Sequence, residues 1–405
     1  MFYYQQHDLQ FKSNSQQFTR RNSLMNSPLL RIFAVAMMAM FLTGTAAFAQ
    51  EEEKKPELNL KGKAYIEYMN QTKVQEDDKK LNTFQIKRVY LTWKKELNSI
   101  WSARVTTDVG QVDSTGEVDG GPADGDDVET ETTAYAVYLK YAYVQGKKDF
   151  GPVSARMQLG MIGTPNSGYT DKVSGYRWVN NNYSFDHAKK ILAAVDGADY
   201  KAQSIDNSAD AGVRLDLELM KMVTLTGMYS NGEGYKKVDE PTSNGKAMYG
   251  MLKVTPVEGL ALAGFYRNEV TNEFESGDNY RMYYGAGISY STDLIKVGAN
   301  YVLPEVEKGG EKTVKDAYIL DTWLNMNLNS VAGMPVLIMG RYAMAENDEL
   351  KDVNDIDSKI TIWAAGLGYE IARGFKALAY LENRTFEQED VDDEQTFYVK
   401  TEVKF

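Results

Sequence analysis

Between Gly163 and Ser208 the chain gathers Tyr169, Lys172, Tyr176, Arg177, Trp178, Tyr183, His187, Lys189 and Lys190, far more bases and aromatic rings than its other connecting segments. Such side chains bind or guide anions and stack on planar groups. Catalysis has less to build on. The only histidines are His7 and His187, and a Ser/His/Asp set on His187 would lack a Gly-x-Ser-x-Gly elbow. With no cysteine there is no thiolate nucleophile, disulfide framework or Cys-based metal site. No Glu/Asp pair is singled out for glycosidase work. The sequence assigns no catalytic residue, no cofactor and no metal.

Acidic residues cluster elsewhere. Gly110 to Thr132 carries Asp113, Glu117, Asp119, Asp124, Asp126, Asp127, Glu129 and Glu131 with no base, and Glu346 to Asp357 and Glu387 to Glu394 are similar. None follows an EF-hand pattern. They read as solvated loops, with divalent cations bridging to lipopolysaccharide as the alternative.

The elements that must hold these residues show period-two alternation, broken by turns, from Leu58 to Phe405. Strands are predicted near 58–69, 81–96, 100–109, 133–147, 152–162, 209–219, 222–230, 246–255, 258–270, 279–291, 293–303, 316–328, 334–345, 359–371, 374–385 and 395–405. That is sixteen, with long connections such as 163–208 alternating with tight turns such as Asn98-Ser99. This is the pattern of a transmembrane antiparallel β-barrel with long outer loops and short periplasmic turns. From Ala211 to Leu219, Val213, Leu215, Leu217 and Leu219 alternate with Gly212, Arg214, Asp216 and Glu218. Burying those charges in a dry core would cost several kcal/mol per unpaired ion, a penalty that a wet lumen removes. Alternation puts Arg104, Lys140, Arg156, Arg214, Lys296, Lys376, Arg384, Lys400 and Lys404 in the lumen with Asp108, Asp216, Glu218, Asp321, Glu382 and Glu402. Bases outnumber acids there, so a weak anion preference is expected.

Residues 29–49, LLRIFAVAMMAMFLTGTAAFA, form an apolar run closed by Ala47-Phe48-Ala49. They predict a signal peptide over 1–49 with cleavage before Gln50 and a start at Met25. Residues 50–57 form a charged periplasmic linker and 58–405 the barrel. Removing 1–49, which carries Lys12, Arg20, Arg21 and Arg31 against Asp8, takes the net charge from −12 to −15, which argues against nucleic acid as a partner. After Ala49 no segment approaches the ~20 apolar residues of a spanning helix, and the mean hydropathy of the whole chain is −0.45. A barrel escapes that test because lipid-facing and lumen-facing residues average out. The 27 Tyr and 5 Trp suit aromatic girdles at both membrane interfaces.

The last segment puts Phe397, Val399, Val403 and Phe405 on one face and Lys400, Glu402 and Lys404 on the other. A terminal strand ending in Phe405 looks like the signature read by the outer-membrane barrel assembly machinery. Phe84 to Leu97, FQIKRVYLTWKKEL, followed by Trp101 to Asp108, WSARVTTD, resembles the opening strands of the phosphate-selective porin O and P family. The resemblance implies a sixteen-stranded, typically trimeric barrel in the outer membrane of a Gram-negative-type envelope, with a long inward-folded loop and a preference for anions such as phosphate. The 163–208 segment is then the pore constriction, presenting Lys172, Tyr176, Arg177, Trp178, His187, Lys189 and Lys190 to passing solutes, with an outer loop packed over the barrel mouth or a subunit contact as the alternative. A general porin without anion preference is the nearest alternative. Beyond it stand a structural or adhesin barrel without an open pore, and a barrel enzyme.

Overall fold

The computed structural model describes residues 58–74, 80–116, 130–179, 205–232, 234–235, 245–271, 279–308, 311–314, 316–329, 333–347, 359–387 and 393–405. Its strands are β1 (Leu58–Lys73), β2 (Asn82–Glu96), β3 (Trp101–Gly116), β4 (Thr130–Phe150), β5 (Val153–Gly163), β6 (Ala209–Leu219), β7 (Val223–Ser230), β8 (Ala247–Val257) and β9 (Leu260–Thr271). They continue as β10 (Asn279–Ser291), β11 (Ile295–Lys308), β12 (Glu311–Val314), β13 (Ala317–Asn327), β14 (Val336–Asn347), β15 (Lys359–Ala372), β16 (Phe375–Phe386) and β17 (Glu394–Lys404). One helix, α1 (Pro165–Ser174), follows β5.

The strands form one antiparallel meander, and β17 pairs back with β1 to close it. The four-residue β12 pairs only with the end of β11, which goes on to pair with β13. The barrel therefore has sixteen staves, as alternation predicts. At the seam Gly62 donates to the Phe405 carbonyl (2.6 Å) and Phe405 donates back to the Gly62 carbonyl (3.1 Å). A Cβ on Gly62 would overlap the Phe405 ring, so the glycine is what lets the terminal side chain lie across β1.

Residues on the two faces differ as a membrane requires. Large apolar side chains such as Phe84, Val137, Leu159, Leu225 and Leu367 are exposed on the outside, where lipid covers them. Ionised groups face inward, as where Arg341 clasps Asp321 with two bonds of 2.8 and 2.6 Å. The β3–β4 hairpin runs further than alternation suggests, with Gly116 paired to Thr130. Asp113 and Glu131 of the acidic run thus belong to strands. Backbone pairing sustains a ladder beyond the apolar positions that the pattern detects.

Candidate functional site

The chain turns inward directly after β5. Pro165 opens α1, and Gly175, at φ 76°, closes it by donating to the Asp171 carbonyl (3.1 Å), the usual placing of Pro and Gly at helix ends. The helix carries no long apolar stripe; Tyr169 packs on Phe265 with Val173 against the same cluster, and polar bonds to the barrel wall do the rest. Asn166 donates to the Tyr283 hydroxyl (2.7 Å), Tyr169 meets Ser289 (3.2 Å), Asn300 donates to Thr170 (2.9 Å) and Asn325 to the Ser174 carbonyl (2.7 Å). Beyond α1, Tyr176 donates to the Met326 carbonyl (2.8 Å) and Lys400 to the Val179 carbonyl (2.7 Å). The described part of the segment therefore runs along the inner wall from β8–β13 to β16–β17.

A second anchor holds its return to β6. Asp206 accepts the hydroxyls of Tyr283 (3.1 Å) and Tyr249 (3.2 Å). Arg267, fully buried, donates to the Ile205 carbonyl (2.8 Å) and pairs with Glu269. Burial pushes the Asp206 carboxyl up to about 6, against the opposing pull of Arg267 and its own hydrogen bonds.

Two β-bulges shape the facing wall. Tyr65 pairs with Arg88 and Ile66 with Ile86, leaving Lys87 as an extra residue. Thr106 pairs with Tyr141 and Thr107 with Leu139, leaving Lys140. A bulge re-aims side chains, and here each adds a lysine to the lumen. Lys87 (3.3 Å) and Lys400 (3.0 Å) share Glu67; Arg88 (3.0 Å) and Lys140 (3.4 Å) share Asp108. Tyr235, from the β7–β8 connection, reaches the same wall and donates to Asp108 (2.9 Å).

Two cavities meet here, both bordered by Tyr65, Tyr90 and Arg177. The larger, ≈ 950 Å³, is lined by nine Lys and Arg residues against one acid, Glu370, among the described residues. Lys94 faces Arg104 directly across β2–β3. Like charges so placed repel, and among the described residues no carboxylate pairs with either of them or with the nearby Lys61. The smaller cavity, ≈ 170 Å³, is bordered by Trp178, Tyr380, Tyr398 and Lys400 as well.

Of the residues singled out in the sequence, Arg104, Lys140, Arg177, Lys376 and Lys404 share the larger cavity, and Arg177, Trp178, Arg384 and Lys400 line the smaller one. Tyr176 packs beside Trp178, ring centroids 6.1 Å apart. Lys172 is exposed and stands apart, its carbonyl bonded by Lys296 (3.3 Å). Arg156 (2.9 Å) and Arg214 (2.8 Å) flank Asp216 as a separate cluster on β5–β6. Tyr183, His187, Lys189 and Lys190, and most of the acidic runs, lie outside the described residues. Sequence reasoning missed Lys61, Lys94, Lys87, Arg88 and Tyr235. Lys61 shares the alternating register of Tyr65 and Glu67, so that pattern could have found it.

The model of the Gram-negative porin family matches residues 34–401. No curated protein matches the chain by sequence. Among solved structures, an anion-selective porin from Comamonas acidovorans has a TM-score of 0.59 at 13% identity, over 87% of this chain and 100% of that one. OmpF of Salmonella typhi, in complex with daunomycin, gives 0.56 at 12% identity over 86% and 97%. In-vitro folded OmpT of Vibrio cholerae in its trimer form gives 0.50 at 13% over 86% and 99%. At these identities the likeness is one of fold.

Proposed function

Because the chain belongs to the Gram-negative porin family, we propose that its outer-membrane channel passes small hydrophilic solutes with a weak preference for anions, phosphate among them. The observation that carries this is the larger cavity, with nine bases to one acid among its described lining residues. Five of these bases are ion-paired, Lys63 and Lys404 with Glu402, Lys140 with Asp108, Arg177 with Asp171 and Lys376 with Glu370. Lys61, Lys94 and Arg104 pair with no carboxylate among the described residues, so a permeating anion there meets a surplus of positive charge and a cation meets repulsion. The 163–208 segment narrows the passage, with Lys172, Tyr176, Arg177, Trp178, His187, Lys189 and Lys190 as its solute-facing residues. Arg104, Lys140, Arg156 and Arg214 line the wall around it.

Residues 1–49 serve as the export signal and 50–57 as a short periplasmic linker. The trimer form of the Vibrio cholerae protein supports a homotrimer in the bilayer. Lipopolysaccharide surrounds its outer rim, and Phe405 is the mark read during assembly. Zero-current potentials in planar bilayers under a KCl gradient test the central reading. A potential of the sign set by chloride is expected, and one set by potassium overturns it.

A further inference from the structure

The smaller cavity differs from the larger one in being walled by rings. Tyr380 and Tyr398 stack with centroids 4.8 Å apart and planes at 17°, and Tyr65 meets Tyr90 edge-on at 5.7 Å and 80°. Trp178, from the inward segment, completes the lining. At ≈ 170 Å³ the space matches a benzene ring, which a cavity of about 150 Å³ accommodates.

Its charge is cationic at one edge. Its described lining holds five bases, Lys87, Arg88, Arg177, Arg384 and Lys400, against two acids, of which Glu382 pairs with Arg384 and Glu67 lies between Lys87 and Lys400. Lys400 hydrogen-bonds the Val179 carbonyl and is ion-paired with Glu67 at 3.0 Å, and with three N–H donors it keeps one for a ligand. Its Nζ also sits 4.6 Å from the Tyr398 centroid, so base and ring face the same space. A compact inorganic anion would use the base and gain nothing from the rings. An aliphatic acid would do little better.

We propose that this cavity is a binding subsite for aromatic carboxylates, the ring lying against Trp178, Tyr65 and Tyr398 and the carboxylate accepting from Lys400 and Lys87. The assignment deepens the anion preference proposed above and rests on it. Stacking between aromatic rings adds to the area they bury, so the ring sets the discrimination and the bases set the sign.

Chloride current through the full protein in planar bilayers, titrated with sodium benzoate and separately with sodium acetate, tests this. Benzoate is expected to half-block at a concentration about tenfold lower than acetate. Trp178→Leu and Tyr398→Leu should each bring that ratio toward one, while Lys400→Met should weaken both acids together. Equal half-blocking concentrations in the unsubstituted protein overturn the subsite, with no variant needed. So does a ratio that survives both ring substitutions. The KCl zero-current potential separates the two proposals: potassium selectivity sinks the anion reading itself, whereas chloride selectivity with a ratio of one removes only the aromatic subsite.

Discussion

Asp206 shows how a single carboxyl couples the inward segment to pH. It is buried among Tyr249, Tyr283 and Arg267 and also accepts the Asn207 backbone N–H at 2.7 Å. Docked against β8–β10, it holds its proton up to about pH 6, whereas a solvated aspartate titrates near 3.9. The docked state therefore binds the proton more tightly than the undocked one. Docking carries a penalty above about pH 6, relieved as pH falls and gone below about pH 4. That penalty is on the order of 3 kcal/mol at most. Amide hydrogen exchange in residues 164–179, corrected for the intrinsic effect of pH, should slow between pH 7 and pH 5. Asp206→Asn is neutral, accepts one tyrosine hydroxyl on its amide oxygen and can donate its amide N–H to the other hydroxyl oxygen, as the protonated carboxyl would, so it should give the slow exchange already at pH 7 and flatten the profile. Exchange as fast and as pH-dependent in the variant as in the parent would refute the assignment.

At the scale of elements, the bulges in β2 and β4 add charge to the lumen without disturbing the lipid face. Lys140 is the unpaired residue between Leu139, half-exposed on the outside, and Tyr141, which points inward. Deleting Lys140 should leave regular alternation and a barrel that still migrates as a heat-resistant species on gels. Deleting Leu139 instead turns Lys140 toward lipid, at about 2–4 kcal/mol for a midplane lysine, and should deplete that species. Comparable assembly of the two deletions would show that the bulge does not absorb the extra residue. The same device explains what the sequence withholds. Alternation exposes sixteen staves because outward positions must be apolar and inward ones may be wet, as Val213 and Arg214 illustrate. Lys87-Arg88 and Lys140-Tyr141 each place two consecutive side chains inside, which on paper is indistinguishable from a slipped register. Helix α1 escapes for another reason: its partners Tyr283, Ser289, Asn300 and Asn325 are more than a hundred residues away. No apolar period marks it. Tyr235 likewise meets Asp108 only through closure of the barrel.

At the scale of the whole molecule, a chain of net charge −12 turns a strongly basic cavity to its lumen. Net charge thus says little about selectivity, because an ion in transit responds to the charges within a screening length. In a narrow aqueous passage with low-dielectric walls those charges act strongly, and their reach depends on salt. The Debye length is about 10 Å at 0.1 M and about 3 Å at 1 M. Bases such as Lys61, Lys94 and Arg104, with no carboxylate paired to them among the described residues, act mainly at a distance. Their contribution should fade as salt rises. Zero-current potentials measured at one fixed concentration ratio should therefore shrink toward zero when both sides are raised from about 0.1 M to about 1 M KCl. Benzoate's advantage over acetate rests on ring contact and should persist across the same change. A chloride preference unaltered at high salt would mean that contact at the narrowing, and not the field of the larger cavity, selects the ion.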